Sequence, residues 1–300
     1  MDKLIFRYKR VQTYFELYGF LGALTYVLKN SLYKRVKNFG TYVLRGRKYP
    51  QNIIFVTALP KSGSTWLQNL FSSIPGFDPF SPYRWNTFVP SDWDEKRWDL
   101  YPGVFNEFAR KLAVIRGHTW GTAENIDLLK ESDLKYFVNV RDPRDKLISE
   151  YWHSRNSPKN WERELAFSKS LAEYITYKLD SGEFERESIN WLRSWLDGRD
   201  ETRSFLLRYE DTLANTHAVL REAMRFLGFD CSEEGIDRIV AANSFEKVSG
   251  RKRGVEDHQQ FLRKGVRGEW EEVFSEEQKA KFTQVGEDVI KALAYEPTLA

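Results

Sequence analysis

Residues 52–74 of this 300-residue chain read NIIFVTALPKSGSTWLQNLFSSI, and this stretch decides the fold. It begins with a short apolar run, β-branched in part, which is typical of a buried parallel strand. A turn containing Pro60 and Gly63 follows the run. Apolar residues then recur at helical spacing from Trp66 until Pro75 interrupts the pattern. The stretch therefore predicts a strand, a tight turn and a helix.

The alternation of strand and helix continues along the chain. Further strands are predicted at 112–118, 136–141 and 204–209, and further helices from 142, through 160–197, over 215–227 and from 275. Residues 77–108 lack clear periodicity and predict a long irregular or lid-like segment. Strands separated by helices indicate an α/β fold of three layers, in which helices flank a central parallel sheet on both faces.

Two helix starts carry their own signals. Asp142 and Pro143 suit the N-cap and the first helical position, and Ser275 with Gln278 forms a capping-box pattern.

Composition excludes several classes of protein. The chain is 41% hydrophobic and 30% charged, which is ordinary for a globular protein and unlike a disordered or fibrous one. Cys231 is the only cysteine, so a disulfide within the chain and a multi-cysteine metal site are excluded. The four histidines are scattered, so we expect no metal. A single cysteine is compatible with a reducing compartment, and we expect a cytoplasmic protein.

Positive charge is concentrated in residues 1–50, which hold eleven Lys or Arg and only two acidic residues. This basic arm encloses an apolar run at 17–28, which is shorter than the roughly 20 residues that span a bilayer. A basic segment of this kind can lie peripherally on an anionic inner membrane surface. The alternative is a helix packed on the domain formed by 51–300, with its basic face in solvent.

The turn after the first strand has the features of an anion-binding site. It aims backbone N–H groups and a helix N-terminus at one point, and Lys61 adds a full positive charge. Nucleoside triphosphate loops place the lysine directly after the closing glycine, whereas Lys61 precedes Gly63 by two residues. The alternative is an ordinary strand-to-helix turn with an exposed lysine.

Four segments in order resemble the motifs of one family. They are PKSGSTW at 60–66, VRDPRDKLIS at 140–149, YED at 209–211 and FLRKGVRGEW at 261–270. The chain resembles the PAPS-dependent sulfotransferases of cytosolic and Golgi type from residue 52 to about residue 280. The resemblance implies a P-loop-like fold and transfer of a sulfuryl group from PAPS to an acceptor hydroxyl or amine, with PAP as product and no metal.

The resemblance also implies roles for single residues. Residues of the turn hold the 5′-phosphosulfate, and among them Lys61 is also catalytic because it assists departure of the bridging oxygen. The other positions that match this loop are Ser62, Gly63, Ser64 and Thr65. The 3′-phosphate is assigned to Arg141 and Ser149, the adenine to Trp66, Tyr209 and Phe245, and closure over the nucleotide to Arg263, Lys264 and Gly265.

Each assignment has a plainer alternative. Arg141 could form a salt bridge to Asp142 or Asp145, and the aromatic residues could simply fill the core. The basic residues 251–253 are expected in a solvated loop.

His118 is the predicted general base. It follows a predicted strand, and a neutral imidazole can take the acceptor proton while the bond to sulfur forms. Arg116 is expected to contact the transferring group. Some carbohydrate sulfotransferases use a carboxylate base, for which Glu124 is the weaker rival.

Two other functions compete with this interpretation. One is a P-loop kinase that uses ATP and magnesium, although the spacing of Lys61 disfavours it. The other is a catalytically inactive nucleotide-binding protein at a membrane surface. The expected acceptor is a small molecule or saccharide, and the basic arm favours a carbohydrate or glycolipid near a membrane. We expect no nucleic-acid partner.

Overall fold

The computed structural model describes residues 34–86, 98–158, 160–255, 257 and 264–295, together with residue 21. The predicted apolar run at 17–28, apart from Leu21, and the predicted ligand Arg263 lie outside the described residues.

The described residues form one five-stranded sheet in which every pair of neighbouring strands is parallel. The strands are β1 (Ile53–Ala58), β2 (Asp78–Phe80), β3 (Ala113–Gly117), β4 (Tyr136–Val140) and β5 (Ser204–Arg208). Their order across the sheet is β2-β3-β1-β4-β5. The predicted α/β class is confirmed, and the four predicted strands lie within one residue of their expected bounds.

The strand β2 corrects the prediction of irregular structure over 77–108. It pairs with β3 through Pro79 opposite Val114, at the edge of the sheet. Proline is tolerated there because an edge strand needs ladder donors on one side only. The rest of the described part of this segment holds two short 3-10 helices, Arg84–Asn86 and Val104–Phe108.

Helices connect the strands and cover the sheet. They are α1 (Lys34–Arg45), α2 (Ser64–Ser72), α3 (Ala123–Glu131), α4 (Pro143–Asn156), α5 (Arg163–Ser168), α6 (Leu171–Asp180), α7 (Asn190–Gly198), α8 (Tyr209–Ala214), α9 (Thr216–Leu227), α10 (Glu233–Ala242), α11 (Phe245–Ser249), α12 (Trp270–Val273) and α13 (Glu276–Ala292). A π-helical turn, Glu185–Ile189, leads into α7.

Both predicted helix starts have the expected hydrogen bonds. The Asp142 carboxylate accepts from the backbone N–H of Arg144, and Ser275 forms a reciprocal capping box with Gln278.

Two hydrophobic cores lie on opposite faces of the sheet, so the fold has the predicted three layers. Alternate residues of β1 enter opposite cores: Phe55 joins one and Val56 joins the other. Helices α3, α4, α6, α7 and α13 cover the first face, and α2, α9 and α10 cover the second. This arrangement buries every residue of β1 and fixes where that strand ends.

The basic arm is partly attached to the domain. Tyr49 packs against the rings of Phe77 and Phe229, and its hydroxyl donates to the backbone carbonyl of Pro75. Tyr42 of α1 also packs against the second core, while other apolar side chains of this helix are exposed: Val36, Phe39, Val43 and Leu44. No helix among the described residues is long and apolar enough to cross a membrane.

Candidate active site

Four strands end at the same edge of the sheet, and a predicted site residue follows each of them. The turn with Lys61 follows β1, His118 follows β3, Arg141 follows β4 and Tyr209 follows β5. In parallel sheets this carboxyl edge is where ligands bind, beside the strand at which the connections change direction. Here that strand is β1, since β3 and β4 lie on either side of it.

A cavity of about 490 Å³ opens at this edge. It brings together nearly all of the predicted site residues: Lys61, Gly63, Ser64, Thr65, Trp66, Arg116, His118, Arg141, Ser149, Tyr209, Phe245, Lys264 and Gly265. Ser62 is the described exception, and Glu124 is exposed on α3 outside the cavity lining.

The turn after β1 is held by contacts that the sequence does not reveal. Lys61 and Gly63 both adopt left-handed backbone conformations, with φ of 68° and 75°. A Cβ at Gly63 would lie 2.7 Å from the Tyr209 ring, so only glycine fits there. The Ser62 hydroxyl donates to the Leu59 carbonyl at 2.6 Å and also accepts from Asn139. The Ser62 side chain therefore braces the turn from the sheet side and does not face the cavity.

Arg141 joins the turn to β4. Its guanidinium donates to the Lys61 carbonyl at 3.1 Å and lies 4.6 Å from the centre of the Tyr209 ring. The alternative salt bridges are not formed, because Asp142 pairs with Arg144 and Asp145 accepts from backbone N–H groups. The buried Nε of Arg141 has no hydrogen-bond partner among the described residues. A guanidinium with an unused donor at a cavity wall suits a phosphate.

The surroundings of Lys61 lower the pKa of its ammonium group. Burial, followed by the nearby Arg141 cation, lowers the pKa of Lys61 to about 7. An anion bound in the cavity would favour the charged ammonium and reverse this shift. The site thus holds a lysine whose charge depends on what is bound.

The aromatic residues form a slot on the other side of the turn. The Trp66 indole N–H donates to the Asn243 carbonyl at 2.8 Å, and the Trp66 and Tyr209 rings meet edge to face. Phe245 packs under Gly265, where a Cβ would lie 2.9 Å from the phenyl ring. These aromatic residues therefore pack against one another and their neighbours and also line the cavity.

Arg253 was expected in a solvated loop, and its side chain does lie in an exposed segment. It nevertheless lines the cavity, 6.0 Å from the centre of the Trp66 ring, and donates to the Leu213 carbonyl. Sequence reasoning missed this contact because the residue lies far along the chain from Trp66.

The late basic segment is anchored to the start of α4. The two carboxylate oxygens of Asp145 accept from the backbone N–H groups of Gly268 and Trp270, at 2.6 and 3.0 Å. This anchor holds the described end of the segment, so that Lys264 and Gly265 lie at the cavity wall.

His118 has one nitrogen fixed by the backbone. Its Nδ1 lies 2.6 Å from the Ala58 carbonyl oxygen, which can only accept a hydrogen bond. Nδ1 therefore carries the proton, and in the neutral ring Nε2 is the nitrogen with the basic lone pair. Next to it, Arg116 donates to the Ser64 hydroxyl at 3.1 Å.

Several residues that line the cavity were not singled out from the sequence. Besides Trp66, four tryptophans line it, namely Trp98, Trp120, Trp161 and Trp191. Glu150 and His153 also line it, one and four residues after the predicted ligand Ser149 on α4. Their position on the same helix as a predicted ligand is the signal that could have found them.

The cavity fits a ligand that carries two anionic groups and an aromatic base. Cationic side chains from separate segments of the chain line the cavity, among them Lys61, Arg141 and Lys264. The buried Nε atoms of Arg116 and Arg141 both lack hydrogen-bond partners in the described part of the chain, as expected where a bound anion completes the site. The Trp66, Tyr209 and Phe245 rings suit a purine.

Comparison with known proteins agrees with this geometry. The sulfotransferase domain family matches residues 51–294. A 3-beta-hydroxysteroid sulfotransferase from Cavia porcellus is 26% identical over 80% of this chain and 83% of its own length. An amine sulfotransferase from Oryctolagus cuniculus is 25% identical over 79% of this chain and 80% of its own length.

A solved structure supports the fold. A mouse sulfotransferase complexed with PAP superimposes with a TM-score of 0.61 at 21% identity, covering 82% of this chain and 87% of that one. Enzymes of the matched family move a sulfuryl group from PAPS to an acceptor, so the predicted reaction and donor are confirmed and the kinase alternative is set aside. The chain belongs to the sulfotransferase domain family.

Proposed function

We propose that this enzyme transfers the sulfuryl group of PAPS to a hydroxyl or amine of a small-molecule or saccharide acceptor, with Lys61 and His118 as its catalytic residues. The observation that supports this most directly is the placement of both residues in one cavity at the carboxyl edge of the sheet. The names of the relatives include a hydroxysteroid and an amine enzyme, which is consistent with either acceptor group.

The proposed donor site binds the two anionic groups of PAPS with residues of three of the four motifs. Lys61, Ser64, Thr65 and the backbone of the turn hold the 5′-phosphosulfate, and Arg141, Ser149 and Lys264 hold the 3′-phosphate. Bound PAPS supplies an activated sulfuryl group whose departure leaves negative charge on the bridging oxygen. A cation positioned at that oxygen stabilises the transition state more than the ground state.

The proposed acceptor chemistry uses the other side of the cavity. Nε2 of His118 accepts the proton of the acceptor hydroxyl, while the hydrogen bond from Nδ1 to the Ala58 carbonyl keeps the ring in the required tautomer. Arg116 contacts the transferring group from beside Ser64.

The test is calorimetric titration with PAP beside ATP, in the wild type and in Lys61→Ala, together with PAPS turnover. We expect PAP to bind more tightly than ATP, and the variant to bind PAP more weakly and to lose turnover. Lys130→Ala on exposed α3 is the matched control. PAP binding without any sulfuryl transfer would identify a catalytically inactive binding protein, and no PAP binding would refute the assigned donor site.

Peripheral membrane contact through residues 1–50 belongs to the same proposal. Its support is α1, where Val36, Phe39 and Val43 recur at helical spacing and are about half exposed or more. The sequence of this helix, KRVKNFGTYVLR, is also rich in basic residues, as in helices that lie on anionic surfaces. Such contact would favour a glycolipid acceptor.

Co-sedimentation with phosphatidylglycerol and phosphatidylcholine vesicles tests the membrane contact. We expect binding to the anionic vesicles only. Phe39→Ser removes a side chain that is about half exposed, so its further burial contributes roughly 0.7–1.5 kcal/mol and its loss should weaken binding about three- to tenfold. Phe167→Ser, which changes another exposed phenylalanine, is the control. Equal sedimentation with and without vesicles would remove this part of the proposal.

A further inference from the structure

The wall of the cavity contains a carboxylate with an unused oxygen. Glu150 follows Ser149 on α4 and lines the cavity. Its Oε1 accepts from the Lys146 ammonium at 2.7 Å. Its Oε2 is buried and has no hydrogen-bond partner within the described ranges. A buried carboxylate oxygen without a donor costs free energy unless a ligand supplies one.

The surroundings of Glu150 carry more negative than positive charge. Lys178 is fully buried among Glu162, Glu183 and Glu187, and pairs with all three. This lysine accounts for the close approach of those three carboxylates. Together with the Lys146–Glu150 pair, two ammonium groups therefore face four carboxylates, and Lys61 adds a third positive charge when it is protonated.

The pKa shifts of Glu162 and Glu150 agree with this surplus of negative charge. Burial, and then the Glu150 carboxylate, raise the pKa of Glu162 against the opposing effect of Lys178. Burial alone would raise the pKa of Glu150, but Lys146 and Lys178 outweigh it and lower the pKa. Glu150 is therefore ionised at neutral pH, and one further cation would neutralise part of the surplus charge.

Aromatic side chains also line this cavity, and the Trp161 ring lies 5.6 Å from the Lys178 ammonium. Trp98, Trp120, Trp161 and Trp191 line the same cavity, and indole faces attract cations and stack on flat or ring-shaped groups. Glu150 also interacts electrostatically with Lys61, so the carboxylate lies close to the catalytic end of the cavity.

We propose that Glu150 is a specificity-determining residue that binds an ammonium group of the acceptor, so that preferred acceptors are amino alcohols in which a separate hydroxyl receives the sulfuryl group. This rests on the proposed function. An ammonium has three N–H donors for Oε2 and its surroundings, but no lone pair, so it serves for binding while the neutral hydroxyl reacts. The hydroxyl oxygen would form the new bond to sulfur while the bond from sulfur to the bridging oxygen of PAPS breaks, so that PAP leaves with the electron pair and the hydroxyl proton passes to His118.

The experiment compares two matched pairs of acceptors, tyramine with 4-ethylphenol and glucosamine with N-acetylglucosamine. Transfer from PAPS gives kcat/KM, and tryptophan fluorescence of the PAP complex gives binding of each acceptor. We expect the ammonium-bearing member of at least one pair to be favoured at least tenfold at pH 7. Glu150→Gln keeps the shape of the side chain and should reduce that preference to about twofold or less, mainly through KM.

The control is Glu183→Gln, which changes a carboxylate of the same cluster that does not line the cavity. It should keep the preference for the ammonium. A preference for the neutral member of both pairs, a preference that survives in Glu150→Gln, or failure of all four compounds to bind would overturn the proposal. PAP titration is run on the same samples, so that loss of the donor site is recognised separately from loss of acceptor specificity.

Discussion

The guanidinium of Arg144 lies 3.6 Å from the centre of the Trp270 ring. Together with the hydrogen bonds from Gly268 and Trp270 to Asp145, this stacking joins α4 to the end of the late basic segment. The motif segments 140–149 and 261–270 are therefore held together by direct contacts. We therefore expect Arg144 and Asp145, which do not line the cavity, to influence PAP binding through this contact.

Asp145→Asn should weaken the attachment of the late basic segment to α4. The amide can keep one acceptor oxygen, but its NH₂ group would face a backbone N–H, which leaves a donor unpaired at a cost of about 1–3 kcal/mol. We expect a lower free energy of unfolding in urea and a roughly tenfold weaker PAP affinity, which corresponds to about 1.4 kcal/mol. Asp127→Asn at the surface is the control. Unchanged PAP affinity would show that the segment does not need this anchor.

Lys61 should make PAP binding depend on pH. Its pKa of about 7 in the free protein rises when the anion binds, so the complex holds more protons than the free protein above about pH 7. Binding therefore takes up protons, and affinity falls as pH rises from 7 towards 9. Calorimetry in two buffers of different ionisation enthalpy measures this uptake. A pH-independent affinity over that range would contradict it.

The same shift affects the stability of the free protein in the opposite direction. The folded pKa of Lys61 lies below its ordinary value of 10.5, so the unfolded chain holds more protons between these values. This group alone makes the free domain more stable as pH rises through that window. Saturating PAP should reduce that gain, which urea unfolding with and without PAP can test.

His118→Ala should separate acceptor chemistry from donor binding. Loss of a general base typically slows turnover by about 10²–10⁴-fold. Because His118 follows β3 and contacts the Ala58 carbonyl, we expect PAP affinity to stay within about twofold. His217→Ala, at an exposed histidine paired with Asp237, is the control. Turnover near the wild-type value would remove His118 from the reaction.

Gly63→Ala tests the close approach of the turn to Tyr209. The new methyl group would need a left-handed backbone, costing roughly 1–2 kcal/mol, and would lie 2.7 Å from the ring. Gly250→Ala is a matched control, since it has a similar φ of 71° and nothing within 4 Å. We expect Gly63→Ala to lose more stability than the control and to lose PAP binding as well. Equal effects of both variants would mean that only backbone strain matters.

Many of the residues assigned to PAPS binding could be predicted because each lies in or next to a short, recognisable sequence pattern. The strand, turn and helix around Lys61 lie within 52–74, and Arg141 and Tyr209 each follow a recognisable strand. Parallel strands bring such residues to one edge whatever their separation along the chain. The direction of the Ser62 side chain was not predictable, because it follows from the left-handed backbone at Lys61 and a bond to Asn139.

The acceptor side was less predictable for a physical reason. Leu147, Ile148 and Tyr151 form an apolar stripe on α4, and the structure buries them as that stripe predicts. The polar residues 144–146 are buried as well, so the stripe alone does not show which side of the helix faces the cavity. The strand β2 was missed because three residues with a central proline do not show alternation.

The central position of β1 has a consequence for the order of folding. Ile53 pairs with Ala113, Phe55 pairs with Tyr136, and Tyr136 in turn pairs with Ser204. Each pairing closes a long loop, and such non-local contacts form slowly compared with helices. No isolated half of the sheet contains the whole donor site. During refolding, recovery of PAP binding should therefore lag behind recovery of helical circular dichroism, and it reports the moment at which the last strand docks.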